Sequence, residues 1–200
     1  MISIIVPTIT GREEWLKKCL KGYKLTVPDA EVIVIKDAPS CAEGWEEGAE
    51  KATGDYLHFT ADDIIPAYDW WQAPIEMLDS GIIPVANVYE DGKKFLCPTP
   101  MGVLKVMIPF LTRRMLNMGG WFLPIHDGSD DWITYRAVRL GFPIKFCPSY
   151  VVHHYIAPEG RNPARRAADL TSLEEAMAEE GYVPEYYRWL ADRNRRRPVS

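Results

Sequence analysis

The chain has 200 residues, of which 47% are hydrophobic and 26% are charged. This length fits one domain, with or without an appendage, and leaves little room for a large two-domain enzyme. The composition excludes a disordered chain, a collagen-like chain and a disulfide scaffold. The formal net charge of −5 does not suit a protein that holds nucleic acid through non-specific phosphate contacts.

Strands and helices alternate in the first part of the chain. Short apolar stretches predict buried strands of a parallel sheet at 2–6, 31–35 and 56–60. Segments with an apolar stripe of helical period separate them, at 12–24 and 42–53. This order predicts a Rossmann-like parallel half-sheet within the first 63 residues.

The rest of the chain is more mixed. Helices are predicted at 67–80, near 110–118 and at 131–140, strands at 82–89 and 144–152, and a hairpin turn at 90–93. After residue 158 the composition changes, and two helices are expected to pack outside the core, at 169–180 and 184–193. The basic tail at 193–197 is interpreted as a solvated terminus, with a contact to phosphates or anionic lipid as the alternative.

The cysteines and the apolar segments bear on location. The four cysteines are far apart and form no C-x-x-C pair, which favours reduced thiols over a zinc site. The first residues lack the basic segment and the long apolar run of a signal peptide. No stretch approaches the roughly 20 apolar residues that span a bilayer. We therefore expect a cytoplasmic protein without a membrane span.

Polar side chains follow each of the first three predicted strands. They are Thr8, Asp37 and the pair Asp62–Asp63. In open parallel sheets, ligands bind beyond the carboxyl ends of the strands. Adjacent carboxylates repel each other unless a positive charge lies beside them, and a divalent cation with a nucleotide diphosphate supplies one. Acid pairs also occur in surface turns and helix caps, so it is the position after the third strand that favours the metal.

A second group of acids precedes the predicted helix at 131–140. It consists of Asp127, Asp130 and Asp131. One aspartate suffices to cap a helix, so another is free to face a cleft as a general base.

Two histidines, His153 and His154, end the last predicted strand. Successive strand residues point to opposite faces, so only one of the two can face the same cleft as Asp63. An imidazole beside a carboxylate shifts the preference of a metal site toward ions such as Mn²⁺.

The order of motifs extends over most of the chain. Ile-Ile-Val-Pro-Thr stands at 4–8, Glu-Val-Ile-Val-Ile-x-Asp at 31–37, and Gly-Trp-x-x-Gly-x-x-x-Ala-x-Gly-Asp-Tyr-x-x-Phe-x-x-Asp-Asp at 44–63. Gly-Gly-Trp at 119–121, Ser-Asp-Asp at 129–131 and Pro-x-x-Val-Val-x-His at 148–154 follow. Together these motifs resemble the GT-A glycosyltransferases of the family-2 type, over roughly residues 1–156.

The resemblance implies a fold and a division of the chain. The fold would be α/β, a GT-A (Rossmann-like) three-layer sandwich with a mixed, mainly parallel central sheet. Residues 1–156 would form the catalytic domain, with a nucleotide-binding half at 1–81 and an acceptor half at 82–156. Residues 157–200 would form a helical extension with the basic tail.

The resemblance also implies roles for individual residues. Those that would bind the nucleotide sugar are Pro7, Thr8, Asp37, Gly44 and Asp62. Asp63 and His154 would hold Mn²⁺ or Mg²⁺, Asp131 would be the catalytic base, and Asp130 would lie on the acceptor side. Trp121, beside two glycines, is the best candidate for stacking on an acceptor sugar, although tryptophans are more often part of a core.

The chain departs from the family pattern in three places. Lys36 stands where the family often has the first of two acids after the second strand. Ala61 stands at the first acid position of a D-x-D motif. The Q-x-x-R-W motif of processive synthases is absent. The expected reaction is therefore the metal-dependent, inverting transfer of one sugar from a nucleotide sugar, a UDP-sugar first, to an acceptor hydroxyl. The acceptor stays open (glycan, protein, small molecule, or modified nucleic acid through the basic tail).

Two other functions stay open at this point. One is a sugar nucleotidyltransferase, although the segment 7–12 has one glycine and one arginine instead of a glycine-rich basic phosphate loop. The other is a non-catalytic module of the same fold that binds nucleotide sugars. Pyrophosphate release would identify the first, and the lack of slow donor hydrolysis would favour the second.

Overall fold

The structure, a computed structural model, describes residues 1–90, 92–95, 104–155 and 163–181. The predicted helix at 184–193, the basic tail, Cys97 and residue 91 of the predicted turn lie outside these ranges. The elements in chain order are β1 (Ile2–Thr8), α1 (Glu13–Thr26), β2 (Glu31–Lys36), α2 (Cys41–Lys51), β3 (Tyr56–Phe59), β4 (Ile64–Pro66), α3 (Gln72–Asp79), β5 (Ile83–Glu90), β6 (Lys93–Phe95), β7 (Phe110–Thr112), α4 (Arg113–Leu116), α5 (Ser129–Arg139), β8 (Ile144–His154) and α6 (Pro163–Glu179).

The first sheet contains the three strands predicted for the first half of the chain. Its strand order is β2-β1-β3-β7, with β1 parallel to β2 and β3, and β7 antiparallel to β3. All residues of β1 except Pro7 are buried, which explains why this strand is an apolar run instead of an alternating pattern. The carboxyl ends of β1, β2 and β3 therefore meet at one edge, where their polar residues gather.

The second sheet brings the end of β8 beside two other strands. Its order is β4-β8-β5-β6, with β5 and β8 parallel and the outer strands antiparallel to their neighbours. In this register His154 lies between Ile64 and Glu90. The predicted α/β fold with mixed sheets is confirmed, although hydrogen bonding divides the strands into two four-stranded sheets.

Two predicted helices are wrong in extent. The helix expected at 67–80 begins only at Gln72, because the Ala67 amide still donates to the Val151 carbonyl of β8, 3.0 Å away. The helix expected near 110–118 is confined to α4. Residues 110–112 pair with β3 as β7, and Thr112 then caps α4 by accepting a hydrogen bond from the Met115 amide.

The main core contains a buried histidine on β3. His58 Nε2 lies 2.8 Å from the Tyr23 hydroxyl and Nδ1 lies 3.0 Å from the Tyr150 hydroxyl. The ring of Trp70 packs 4.4 Å from the imidazole, centroid to centroid. A neutral imidazole serves both hydroxyls, since it donates at one nitrogen and accepts at the other. Burial lowers the pKa of His58 to about 3.

The helix α6 belongs to a second, smaller core. Leu173 and Met177 are fully buried and pack with Trp132 and Tyr135 of α5. The described part of the segment after residue 156 thus packs on α5. Within the described ranges, no helix has the length and apolar character needed to cross a bilayer.

Candidate active site

The acid pair after β3 is bridged by an arginine. Arg12, in the loop between β1 and α1, places Nη2 2.8 Å from Asp62 Oδ1 and 2.7 Å from Asp63 Oδ2. The Thr8 hydroxyl donates to the other oxygen of Asp62 at 2.6 Å. All three charged side chains are largely buried, so the guanidinium supplies the positive charge that two adjacent carboxylates require.

The surroundings of the pair perturb one carboxyl group in particular. Burial raises the pKa of Asp62, and the hydrogen bond from Thr8 and the charge of Arg12 act in the opposite direction. Arg12 is itself incompletely satisfied, because its buried Nε has no hydrogen-bond partner among the described residues.

His154 faces Asp63 from the end of β8. Its Nε2 lies 3.8 Å from Asp63 Oδ1, and the Tyr155 amide donates to the Asp63 carbonyl at 2.9 Å, which holds the strand end against the acid pair. The other ring nitrogen, Nδ1, lies 3.2 Å from Glu90 Oε1. Since a carboxylate can only accept, Nδ1 carries a proton toward Glu90, and Nε2 is the ring nitrogen on the side of Asp63. His153 instead packs against Tyr89, as alternation along a strand requires.

This arrangement fits a divalent metal ion. A carboxylate oxygen and an imidazole nitrogen face the same point, and a second carboxylate orients the imidazole from behind, as metal-binding histidines usually require. Asp63 and His154 would be the ligands and Glu90 the orienting group. The described residues contain no group of three or more His, Cys, Asp or Glu side chains placed to hold a metal together.

The second acid pair begins α5 and is bridged by a lysine. Lys105 Nζ lies 2.6 Å from Asp130 Oδ2 and 3.0 Å from Asp131 Oδ2. The Lys105 and Asp131 side chains are each only 4% exposed, whereas Asp130 is 22% exposed. The Asp130 side chain also accepts a hydrogen bond from the Asp131 amide. The two acids thus differ in exposure: Asp130 is partly open to solvent, and Asp131 is buried against the lysine.

The two acid pairs share one region of the molecule. Burial raises the pKa of the Cys41 thiol at the start of α2, and the charges of Asp63, Asp130 and Asp62 raise it further. Asp62 and Asp63 of the first pair and Asp130 of the second are therefore all within electrostatic range of Cys41. The raised pKa also keeps Cys41 in the unreactive thiol form.

Of the predicted nucleotide-binding residues, Asp37 lies most openly at the sheet edge. Its φ of 57° is left-handed, and its exposed carboxylate accepts hydrogen bonds from the Thr10 amide and hydroxyl at 2.7 and 2.8 Å. These two bonds hold the pKa of Asp37 below its usual range. Gly44 is buried, and a Cβ there would lie 3.0 Å from Pro7 Cβ, so this glycine allows α2 to approach β1.

Trp121 lies in the core, contrary to its expected place on the acceptor side. It is 2% exposed, its indole nitrogen donates to the Met115 carbonyl at 2.7 Å, and its ring packs against Phe142. The apolar area of the indole is thus already covered, and no face is left for an acceptor sugar.

The loop before α5 is held by the helix α6. The amides of His126 and Asp127 both donate to Asp169 Oδ2, at 3.1 and 2.9 Å. Burial lowers the pKa of His126, and the charge of Arg165 lowers it further. Since this loop leads into the second acid pair, α6 contributes to placing Asp130 and Asp131.

Three residues of the site cannot be recognised from the local sequence. Arg12 is the single arginine of its loop, Lys105 lies in the mixed segment, and Glu90 falls in a predicted turn. Each meets its partner across at least 25 residues of chain. Only the charge of two adjacent acids, which calls for a nearby cation, could have indicated that Arg12 or Lys105 was needed.

Solved structures of similar shape are glycosyltransferases. One is the mannosyltransferase PcManGT from Pyrobaculum calidifontis, solved with GDP-Man and Mn²⁺. Its TM-score is 0.66 at 16% identity, and the match covers 96% of this chain and 68% of the PcManGT chain. S. aureus TarS 1–349 has a TM-score of 0.66 at 13% identity and covers 89% of this chain and 64% of its own. The chain has a GT-A-like glycosyltransferase fold. TarS 1–349 in complex with UDP agrees, with a TM-score of 0.62 at 13% identity over 87% of this chain and 70% of its own.

The likeness concerns the fold and part of the neighbours' length. Against the longer S. aureus TarS chain, the TM-score is 0.63 and the match covers 42% of that chain. No protein-family model and no curated protein sequence matches this chain.

Proposed function

We propose that this protein is a metal-dependent, inverting glycosyltransferase of the family-2 type, which moves a single sugar from a nucleotide sugar to an acceptor hydroxyl. The observation that carries the proposal is a GT-A-like fold with two largely buried carboxylate pairs, Asp62–Asp63 and Asp130–Asp131, each bridged by one cationic side chain. One pair suits the donor diphosphate and its cation, and the other suits proton removal from the acceptor.

The donor would bind at the carboxyl edge of the first sheet. Asp37 projects there with both oxygens oriented by Thr10, which suits hydrogen bonding to a base or ribose. Pro7 and Thr8 end β1 beside it. We propose a UDP-sugar as the donor on the family resemblance. The neighbours solved with UDP and with GDP-Man support a nucleotide diphosphate in general.

Asp63 and His154 would hold Mn²⁺ or Mg²⁺. The bound ion would supply positive charge to the departing nucleoside diphosphate. Glu90 orients the imidazole of His154 through Nδ1, and Arg12 adds a guanidinium whose buried Nε has no hydrogen-bond partner among the described residues. These groups of the chain would place positive charge and hydrogen-bond donors beside the leaving group.

Asp131 would act as the general base. The acceptor oxygen forms a bond to the anomeric carbon as the bond from that carbon to the diphosphate oxygen breaks, and the acceptor proton passes to the Asp131 carboxylate. A single displacement of this kind inverts the anomeric centre. The free thiols Cys19, Cys41 and Cys147 support our further proposal that the protein acts in the reducing cytoplasm.

Exchange of Asp131 for asparagine tests the proposal. Asp131→Asn is expected to keep donor affinity, measured by calorimetry with Mn²⁺, and to lose transfer by about 10²–10⁴-fold, because asparagine cannot accept the proton. Asp130→Asn is the matched control, since it removes the other carboxylate on Lys105. Transfer in Asp131→Asn at the wild-type rate would contradict the assignment, and a larger loss in Asp130→Asn would move the base to Asp130.

A further inference from the structure

Lys105 is a buried cation at the second acid pair. Its side chain is 4% exposed, and its ammonium lies within 3.0 Å of a carboxylate oxygen of both Asp130 and Asp131. Removing an ammonium from water carries a cost of several kcal/mol, so such a group persists only where carboxylates compensate it. The chain therefore retains this lysine for the sake of the acids beside it.

The helix does not need the lysine for its own stability. Asp130 and Asp131 lie in the first turn of α5, where the helix dipole already favours negative charge. The other oxygen of Asp130 accepts a hydrogen bond from the Asp131 amide. The group that requires a cation is thus the Asp131 carboxylate, which is 4% exposed and has little access to water.

The segment that carries Lys105 is attached to α5 independently of the ammonium. The Val106 amide donates to the Thr134 hydroxyl at 2.8 Å, and that hydroxyl donates to the Asp130 carbonyl at 2.7 Å. Both Val106 and Thr134 are buried. A change confined to the lysine side chain therefore leaves the backbone of residues 104–106 tied to the helix.

We propose that Lys105 is a positioning residue for the Asp131 base: its ammonium orients the carboxylate and keeps it ionised until the acceptor arrives. The inference rests on the proposed function, in which Asp131 takes the acceptor proton. Lys105 spans the pair, so its ammonium opposes rotation of either carboxylate away from it. Without the ammonium, the buried Asp131 carboxyl favours its protonated form, in which it could not act as a base.

Several titratable groups lie around this pair. Lys105 reaches it from the segment ahead of β7, and Asp130 lies on the same helix as Asp131. The pKa of the Cys41 thiol of α2 is raised by the charge of Asp130 and by the charges of Asp62 and Asp63 at the end of β3. Arg12 already bridges Asp62 and Asp63, so removal of Lys105 leaves the buried Asp131 carboxylate beside Asp130, whose charge disfavours its ionised form.

The test follows the Asp131 carboxyl by ¹³C NMR as a function of pH, with Asp131→Asn to assign the signal. Lys105→Met is expected to raise its half-titration pH by about one to three units, and Lys105→Arg to restore it. The pH at which kcat/KM for transfer falls on the acidic side is expected to rise by the same interval, while donor affinity stays unchanged. Lys51→Met, at an exposed lysine of α2, is the control and leaves all three readings unchanged.

A double variant covers poor folding of Lys105→Met. Lys105→Met with Asp130→Asn has the same net charge at this cluster as the wild type and is expected to show a smaller rise, because the charge of Asp130 is removed as well. An unchanged half-titration pH in whichever variant folds, or failure of Lys105→Arg to restore it, overturns the inference alone. If Asp131→Asn keeps wild-type transfer, the proposed function fails, and the inference fails with it whatever the titration shows.

Discussion

Each acid pair of the candidate site has one cationic side chain across it. Arg12 Nη2 spans Asp62 and Asp63 within 2.8 Å, and Lys105 Nζ spans Asp130 and Asp131 within 3.0 Å. Two adjacent buried carboxylates cannot both stay charged without such a partner. At the first pair the cation stands where a metal ion would also place its charge, so arginine and metal are expected to compete.

Replacement of Arg12 by methionine tests this competition. Arg12→Met is expected to bind Mn²⁺ about tenfold more tightly or better without nucleotide, because a positive charge next to the ligands opposes a second one. Free Mn²⁺ measured by electron paramagnetic resonance reports the affinity directly. Arg114→Met, at an exposed arginine of α4, should leave it unchanged. Equal Mn²⁺ affinity in Arg12→Met and wild type would show that the arginine and the ion do not share these acids.

At the scale of elements, the edge that carries the site depends on how closely α2 packs on β1. Gly44 and Gly48 lie one turn apart on the face of α2 that contacts this strand. A Cβ at Gly48 would lie 2.3 Å from Ile5 Cγ2, in a side chain that is fully buried. The close approach of α2 holds β1 and its polar carboxyl end in place.

Alanine at Gly48 tests this packing. Helix propensity alone would make Gly48→Ala more stable by about 1 kcal/mol. Overpacking against Ile5 outweighs that gain, so the free energy of unfolding is expected to fall by about 2 kcal/mol in urea denaturation. Glu46→Ala, at an exposed position of the same helix, should change it little. A Gly48→Ala variant as stable as the wild type would mean that α2 moves away from β1 freely.

Across the whole molecule, the two sheets and α1 meet around a neutral histidine. His58 on β3 contacts Tyr23 of α1 and Tyr150 of β8, so one imidazole joins three elements. Its pKa is lowered to about 3 in the folded protein, against 6.5 in the unfolded chain. The stability that its neutral form contributes is complete above pH 6.5 and is lost as the pH falls from 6.5 toward 3.

Acid titration of stability measures this contribution. Between pH 7 and pH 5 the free energy of unfolding is expected to fall by about 2 kcal/mol, because the unfolded histidine takes up a proton and the folded one does not. Carboxyl groups with a lowered pKa, such as Glu31 and Asp37, lose their contribution only at more acidic pH. His58→Gln should flatten most of this slope, while His126, whose pKa is also lowered, adds a smaller part of the same sign. An unchanged slope in His58→Gln would contradict the assignment, and His153→Gln serves as the control.

Local sequence is enough to predict the alternation of strands and helices, the acids after β2 and β3, and the acid pair at the start of α5. These features depend on local periodicity and on residues adjacent in the chain, so they can be read without knowing what packs where. The same local reasoning limited His153 and His154 to opposite faces of β8, and the structure shows that His154 is the one near Asp63.

Only the tertiary structure decided which distant side chains complete the site. Arg12 meets Asp63 across 51 residues of chain, Lys105 meets Asp131 across 26, and Glu90 meets His154 across 64. It also placed Trp121 in the core, since its burial depends on α4 and on Phe142. Contacts of this kind follow from strand register and helix packing, which join residues that no local pattern relates.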